Sequence, residues 1–251
     1  RVLGQPEQGG LTPAMVRGDA THAAILEPER FASEYLTYPG ATRHGKAWDA
    51  WRAKHADAVC ITQSERELAL EMSQAVRGDP LCMRYLERGE AEVAMCWTDP
   101  ATGIRCKGRL DWITEMDGEP VIVGIKTTKA SGLRLFTKQA CDLGYLMQWA
   151  MYREGFHEVT GEWPREMIEI AVENHAPWDP VVYRICEPVI EAGLERYRSA
   201  LALLVDCRRT GRWPGQGGGQ VVDLRDLPPW ATGGDDGDYE TMKFPGVGEE
   251  S

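Results

Sequence analysis

The sequence RCKGRLDWITEMDGEPVIVGIKTT, residues 105–128, predicts the centre of the fold. Each half alternates with the two-residue period of a half-buried β-strand, and Asp117-Gly118 between them is a tight-turn signal. We therefore predict two adjacent strands joined at that turn. On the first strand one face carries a row of charged residues, which are Arg105, Lys107, Arg109 and Asp111.

The second predicted strand has an apolar face and a mixed face. The apolar face is formed by Val121, Val123 and Ile125, and the mixed face by Ile122, Gly124, Lys126 and Thr128. If the polar faces of the two strands coincide, Asp111 and Lys126 meet at the end of the hairpin. A carboxylate binds a hard divalent cation, and a lysine beside it can orient or deprotonate water. The same pattern also fits a solvent-facing ribbon with ordinary surface charge.

The composition excludes several classes of protein. With 251 residues, of which 43% are hydrophobic and 27% charged, the chain can bury the core of one large or two small domains. No segment approaches the roughly 20 apolar residues of a membrane span, and no secretory signal opens the chain, so we expect a cytoplasmic protein without a membrane partner. The seven cysteines are scattered and form no C-x-x-C pair, which argues against disulfides and against zinc or iron–sulfur sites.

The net charge of −11 weighs against nucleic-acid binding, which usually requires a basic surface. A local basic track can nevertheless lie within an acidic protein. Such a track is concentrated in and just after the hairpin, and its candidate DNA-binding residues are Arg105, Lys107, Arg109, Lys129, Arg134 and Lys138.

Before the hairpin, the sequence predicts three helices and a strand. Thr12-Pro13 is typical of a helix start, and that helix should run to about Leu26. A capping box at Ser64–Glu67 predicts a helix ending at Gly78, and Asp79-Pro80 predicts another ending near Gly89. Residues Glu92 to Trp97 have the pattern of a strand.

After the hairpin, one amphipathic helix is predicted through Phe136, Ala140, Leu143, Met147 and Met151. Gln148 and Tyr152 would project together from its side. Two strands (167–173 and 181–185) and a long helix through residues 190–204 follow. We predict that residues 1–214 form the folded domain and that residues 215–251, rich in glycine and acid, form a tail with one short ordered piece at 227–230.

Taken in order, these segments resemble the exonuclease VIII or RecE-type exodeoxyribonucleases, a phage and prophage branch of the PD-(D/E)xK nuclease superfamily. The resemblance extends from about Thr12 to about Trp230. It is carried by Gly18 to His22, Leu26 to Pro28, Gly89 to Glu92, Gly108 to Asp111, Lys126 to Thr128, Gln148 to Tyr152, Trp213-Pro214 and Leu227 to Trp230.

The resemblance implies a restriction-endonuclease-like α/β fold, in which helices flank a mixed β-sheet and the site lies at the splayed end of a hairpin. It implies Mg²⁺- or Mn²⁺-dependent 5′-to-3′ digestion of double-stranded DNA from its ends, which leaves 3′ single-stranded overhangs. It further implies a single-strand annealing protein as partner, a homo-oligomeric ring, and a bacterial or phage-infected cell.

The resemblance also implies a role for individual residues. His22 and Asp111 match metal-binding positions, together with position 124 and the backbone carbonyl of Ile125. Glu92 matches an acidic helper at the metal site, and Lys126 matches the catalytic lysine. Gln148 and Tyr152 match a glutamine–tyrosine motif that supports the catalytic site and contacts substrate. Taken alone, His22 would be interpreted as a core or interface histidine.

The sequence departs from the family pattern at Gly124, where an acid should stand two residues before the lysine. Loss of that carboxylate should weaken divalent-ion binding. Three explanations are open: an inactivating substitution, a homologue that binds DNA without cutting it, or another acid that reaches the site. The candidates for that acid are Glu92, Asp142 and Glu173. A glycine within a strand also fits a bulge or a close backbone approach.

Two functions other than that of an exonuclease are compatible with the sequence. A non-catalytic scaffold that binds DNA ends would keep the fold and the basic track without cleavage. A structure-specific endonuclease on the same fold would nick circular DNA.

Overall fold

The computed structural model describes residues 12–40, 44–56 and 58–215. The elements in chain order are α1 (Pro13–Leu26), α2 (Pro28–Glu34), β1 (Tyr35–Tyr38), α3 (Lys46–Lys54), β2 (Val59–Thr62), α4 (Gln63–Gly78), α5 (Pro80–Leu86), β3 (Glu90–Thr98), β4 (Arg105–Met116), β5 (Glu119–Thr128), α6 (Leu133–Asp142), α7 (Tyr145–Thr160), β6 (Glu166–Glu173), β7 (Pro180–Arg184) and α8 (Glu187–Thr210). The elements that position the site described below lie in one unit, Arg1–Val205, and a second unit begins at Asp206. The short piece predicted at 227–230 lies outside the described residues.

A five-stranded sheet in the order β3-β4-β5-β6-β7 is the centre of the first unit. The pairs β3–β4, β4–β5 and β6–β7 are antiparallel, while β5 and β6 run parallel. Strands β1 and β2 form a separate parallel pair. The predicted hairpin is present, with Asp117 and Gly118 both at positive φ in its turn. The expectation of a mixed β-sheet flanked by helices is confirmed.

Two apolar clusters cover the two faces of the sheet. The first cluster joins Val121, Val123 and Ile125 of β5 to side chains of α1, α4 and α5. The second cluster joins Ile122 of β5 and Leu110 of β4 to side chains of α6, α7 and α8. Because both faces are covered, β6 is buried along most of its length and β5 along half of it.

Helices α1 and α4, which precede the sheet, are stabilised by N-terminal caps and by hydrogen bonds between them. Thr12 caps α1 as predicted. The capping box of α4 lies two residues earlier than predicted, at Thr62 and Glu65, because Thr62 at the end of β2 has the extended backbone that an N-cap requires. Ser73 and Arg77 of α4 donate to backbone carbonyls in the last turn of α1 at 2.7 and 2.8 Å.

The single helix predicted from Phe136 to Met151 is wrong, because the chain forms two helices there. Gly144 between α6 and α7 has φ +76°, a left-handed conformation that an α-helix cannot contain. As a result Leu143 and Met147, expected on the apolar face, are exposed. Leu146 and Trp149 are buried against the sheet instead.

No helix within the described ranges combines the length and the apolar character that a membrane span requires.

Replacement of Ile170→Ala should test the central position of β6. This side chain is fully buried in the first cluster, so its truncation should lower the free energy of unfolding by about 2–5 kcal/mol. Urea unfolding followed by circular dichroism measures the change. The matched control is Val159→Ala on the exposed face of α7, which should change stability by less than about 0.5 kcal/mol. Equal effects of the two replacements would contradict this arrangement.

Candidate active site

The site lies where β4 and β5 diverge. Their register ends at Trp112 opposite Val123, while β4 remains paired with β3 and β5 remains paired with β6 beyond that point. The Asp111 Oδ2 atom accepts a hydrogen bond from the backbone N–H of Ile125 at 2.9 Å. The carboxylate thus takes the place of the next ladder hydrogen bond, and its orientation is fixed by the backbone of β5.

The regular alternation of side chains along β3 and β4 changes at this point. Leu110 packs in the second cluster and Trp112 in the first, although they are two residues apart. Glu92 and Asp111 fall between the register pairs Ala91–Trp112 and Val93–Leu110 and are not themselves paired. Glu92 has φ +57°, a left-handed conformation that is strained for a residue with a side chain. Arg109 and Asp111, predicted on one charged face, both lie close to Glu92.

Three potential metal ligands meet at the point of divergence. His22 of α1, Glu92 of β3 and Asp111 of β4 each offer a ligand atom, and these atoms lie within 4.8 Å of one another. The Nδ1 atom of His22 is 3.7 Å from Asp111 Oδ1. Two carboxylates with an imidazole as a minor ligand suit Mg²⁺ or Mn²⁺. The residues present therefore fit the divalent ion that the sequence implies.

Arg109 contributes to the electrostatics of this trio. Its Nε atom lies 2.7 Å from Glu92 Oε2. Burial raises the pKa of the Glu92 carboxyl, and the Arg109 guanidinium partly opposes that rise. Arg109, predicted to bind DNA, is thus held by a carboxylate of the site.

Lys126 lies between two carboxylates. Its Nζ atom is 3.9 Å from Asp111 Oδ2 and 3.7 Å from Glu169 Oε1, and it lies 5.2 Å from the centre of the Tyr145 ring. Burial lowers the pKa of Lys126, but Glu169 and Asp111 raise it more, so its pKa is above the ordinary value. The Nζ atom also approaches the carbonyl of Ile125, the predicted backbone ligand, at 3.5 Å.

Glu169 of β6 was missed by the sequence reasoning. It is only 1% exposed, and burial raises the pKa of its carboxyl. Its Oε2 atom accepts a hydrogen bond from the Trp149 indole at 2.5 Å. Its Oε1 atom is buried without a hydrogen-bond partner among the described residues. The sequence feature that could have identified it is a single acid inside the otherwise apolar run Met167-Ile-Glu-Ile-Ala-Val172.

The structure places the other candidate acids elsewhere. Asp142 is exposed on α6 and pairs with Lys138 at 2.8 Å. Glu173 accepts hydrogen bonds from the backbone N–H and the hydroxyl of Ser131 at 2.9 and 3.1 Å. The carboxylate beside Gly124 is that of Glu169, its direct partner in the parallel register of β5 and β6.

Helix α7 covers the site from the side of the second cluster. Gln148 donates from Nε2 to the hydroxyl of Tyr152 at 3.1 Å, as their helical spacing allows. Both side chains line a small pocket together with Asp111, Lys126 and Glu169. The sequence pattern therefore brings this pair to the site, and its functional role stays a prediction.

A cleft of about 540 Å³ adjoins the site. Tyr145, whose ring faces Lys126, is part of its wall, and Arg17, Lys129 and Lys138 supply positive charge. Arg17 was not among the predicted DNA-binding residues. The other predicted cations, Arg105, Lys107 and Arg134, are exposed and are not among the residues that line this cleft.

The chain is similar to one family model and to solved structures. The model of the family described as "PDDEXK-like domain of unknown function (DUF3799)" matches residues 3–223. A candidate exonuclease from Eubacterium rectale is similar with 14% identity, a TM-score of 0.49, and coverage of 75% of this chain and 74% of that chain. The protein SSO0001 is similar with 19% identity, a TM-score of 0.34, and coverage of 74% and 85%. No protein of curated function shows significant sequence similarity to the chain.

Replacement of Asp111→Asn or Glu92→Gln should weaken Mn²⁺ binding at least about 10-fold, because each removes a charged ligand from the trio. Isothermal titration calorimetry with MnCl₂ measures the affinity. The matched control is Glu115→Gln, an exposed acid four residues after Asp111 on the same strand, which should bind Mn²⁺ like the wild type. Unchanged affinity in both site variants would exclude this trio as the metal site.

Proposed function

Because the family model spans most of its length, the chain belongs to the family of PDDEXK-like domains, and we propose that it is a divalent-metal-dependent double-strand DNA exonuclease. Membership of this family, together with the mixed sheet between helices, confirms the predicted restriction-endonuclease-like fold within the PD-(D/E)xK nuclease superfamily. The observation that carries the proposal is the meeting of His22, Glu92 and Asp111 beside Lys126 where β4 and β5 diverge.

The side chains of this site would have different roles in phosphodiester hydrolysis. His22, Glu92 and Asp111 would hold the divalent ion. When bound, such an ion lowers the pKa of water and stabilises the negative charge that develops on the phosphate oxygens. The strand backbone of β5 orients Asp111 before any ion binds, because Ile125 donates its N–H to that carboxylate.

Lys126 lies between two carboxylates, which favours its ammonium form. In that form it can donate hydrogen bonds. It can orient the attacking water or neutralise a phosphate oxygen in the transition state. The Tyr145 ring over its ammonium group restricts the directions in which it can move.

The adjoining cleft supports a nucleic-acid substrate. Arg17, Lys129 and Lys138 line the cleft together with Tyr145, whose ring centre lies 5.2 Å from Lys126 Nζ. Asp142 lines it too and pairs with Lys138, so Arg17 and Lys129 provide most of its positive charge. A local positive track of this kind can bind the phosphate backbone although the whole chain carries a net charge of −11.

The finer assignment rests on the resemblance to the RecE-type enzymes. It comprises 5′-to-3′ polarity, 3′ single-stranded products, a single-strand annealing protein as partner and a homo-oligomeric ring. The competing function, a scaffold that binds DNA ends without cutting, is favoured by one observation, the absence of an acid at Gly124.

Digestion of 5′-labelled linear duplex DNA tests the proposal. With Mg²⁺ or Mn²⁺ the protein should degrade linear duplex and spare closed circles. Lys126→Met should lower the rate about 100-fold or more, because it removes the charge that stabilises the transition state, while Glu115→Gln should leave it unchanged. Binding to duplex ends without any loss of DNA would favour the scaffold, and nicking of circles would favour an endonuclease.

Charge removal in the cleft provides a separate test. Arg17→Ala and Lys129→Ala should each weaken duplex binding and reduce the slope of log affinity against log salt by about 1, as expected for one lost phosphate contact. Fluorescence anisotropy at several KCl concentrations measures both quantities. The control Arg165→Ala removes a cation that pairs with Asp117 at the turn of the hairpin, and it should change neither quantity. An unchanged slope in both cleft variants would show that DNA follows another path.

A further inference from the structure

The position of Gly124 points to an exchange of acids between neighbouring strands, in which a carboxylate on β6 replaces the one that β5 lacks. We propose that Glu169 of β6 supplies the metal-site carboxylate that Gly124 of β5 lacks. This inference rests on the proposed metal-dependent function, and it makes the chain a complete enzyme rather than a disabled one.

Geometry is the first argument. A Cβ atom built on Gly124 would lie 2.6 and 2.7 Å from the two carboxylate oxygens of Glu169. In an aspartate the carboxylate oxygens lie about 2.4 Å from their own Cβ, by ordinary bond lengths and angles. The oxygens of Glu169 are therefore as close to that point as those of an aspartate at position 124 would be. A carboxylate is present beside Lys126, although it belongs to a different strand.

The glycine is a requirement of this exchange. Contacts under 3.0 Å between Cβ and a carboxylate are not tolerated, so any side chain at position 124 would have to displace Glu169. A glycine in a strand interior weakens the strand, and here it provides the close approach that makes room for another group. Gly124 and Glu169 are direct partners in the parallel register, which is why one can fill the space of the other.

Burial is the second argument. Glu169 is 1% exposed in the middle of an apolar strand, and a buried carboxylate is destabilising unless it is paired. The Trp149 indole satisfies Oε2. Oε1 faces Lys126 at 3.7 Å and has no hydrogen-bond partner among the described residues. An oxygen held in this way is available to a cation or to its bound water.

Asp111 connects Glu169 to the three-ligand cluster. Its Oδ1 atom faces His22 and its Oδ2 atom faces Lys126. Lys126 in turn lies between Asp111 and Glu169. Glu169 itself lies outside the three-ligand cluster and on the lysine side of the site, where the family pattern places an acid two residues before the lysine.

Four variants of the full chain test the exchange. Glu169→Gln keeps the shape of the side chain and removes its charge, and Glu169→Ala removes the carboxylate entirely. Gly124→Asp alone places two carboxylates in one space. The double variant Gly124→Asp/Glu169→Ala returns the acid to the position before the lysine. The control Glu166→Gln changes another acid of β6, which pairs with Arg184 at 3.2 Å.

Mn²⁺ affinity from calorimetry is the main measurement, with thermal unfolding to verify the fold and digestion of linear duplex as a second readout. Both Glu169 variants should bind Mn²⁺ at least about 10-fold more weakly than the wild type. The double variant should regain affinity to within about 10-fold of the wild type, whereas Gly124→Asp alone should melt at a lower temperature. The control should match the wild type.

Two results would overturn the proposal. In the first, Glu169→Gln binds Mn²⁺ as tightly as the wild type, even if it cuts more slowly, which would make Glu169 a positioning residue for Lys126. In the second, the double variant is folded but stays as weak as Glu169→Ala. If the double variant does not fold, the isosteric Glu169→Gln decides alone.

The same experiment separates this inference from the proposed function. Metal affinity that depends on Glu169, in a protein that degrades no DNA, would refute the nuclease activity and retain the exchange of acids. DNA degradation with metal affinity independent of Glu169 would support the nuclease activity and refute the exchange of acids.

Discussion

The backbone amide of Ile125 needs a hydrogen-bond acceptor at the point where β4 and β5 separate, and the Asp111 carboxylate supplies it. A buried N–H without an acceptor would cost free energy comparable to a lost hydrogen bond. The divergence of the strands is therefore tied to an acid at position 111. Held there, the carboxylate lies 3.7 Å from His22 of α1 on one side and 3.9 Å from Lys126 of β5 on the other.

The balance of charge in the site explains why a divalent ion suits it. Glu92, Asp111 and Glu169 bring three carboxylates, while Arg109 and Lys126 bring two permanent cations. A polyanionic substrate would meet net repulsion there unless a further positive charge were present. A divalent ion offsets that repulsion and brings its chemistry to the same place. Because His22, Glu92, Asp111 and Lys126 are each 15–22% exposed, water and ions can enter, whereas Glu169 is 1% exposed.

Much of the fold could be predicted from short patterns. The Asp117-Gly118 turn and the two alternating strands determine the hairpin, and Thr12-Pro13 determines the start of α1. Local patterns could not predict the parallel pairing of β5 with β6, since the two strands are separated by α6 and α7 and their register depends on the packing of both layers. For that reason Glu169 was not connected with Gly124, although both stood in the sequence. The break at Gly144 was missed because apolar spacing continues across it, while the left-handed backbone depends on a residue that the spacing ignores.

The close contact between Gly124 and Glu169 also restricts how this sequence can change. A chain that acquired an acid at position 124 first would crowd two carboxylates into one space. A chain that lost the acid at position 169 first would have none beside Lys126. If Glu169 supplies the metal-site carboxylate, each single step is unfavourable, although the two steps together lead to the ordinary arrangement. The two positions would then be epistatic. An enzyme with such an exchange would be taken for an inactive relative when its motif is compared along the chain alone, because its acid would stand about one strand spacing to the side.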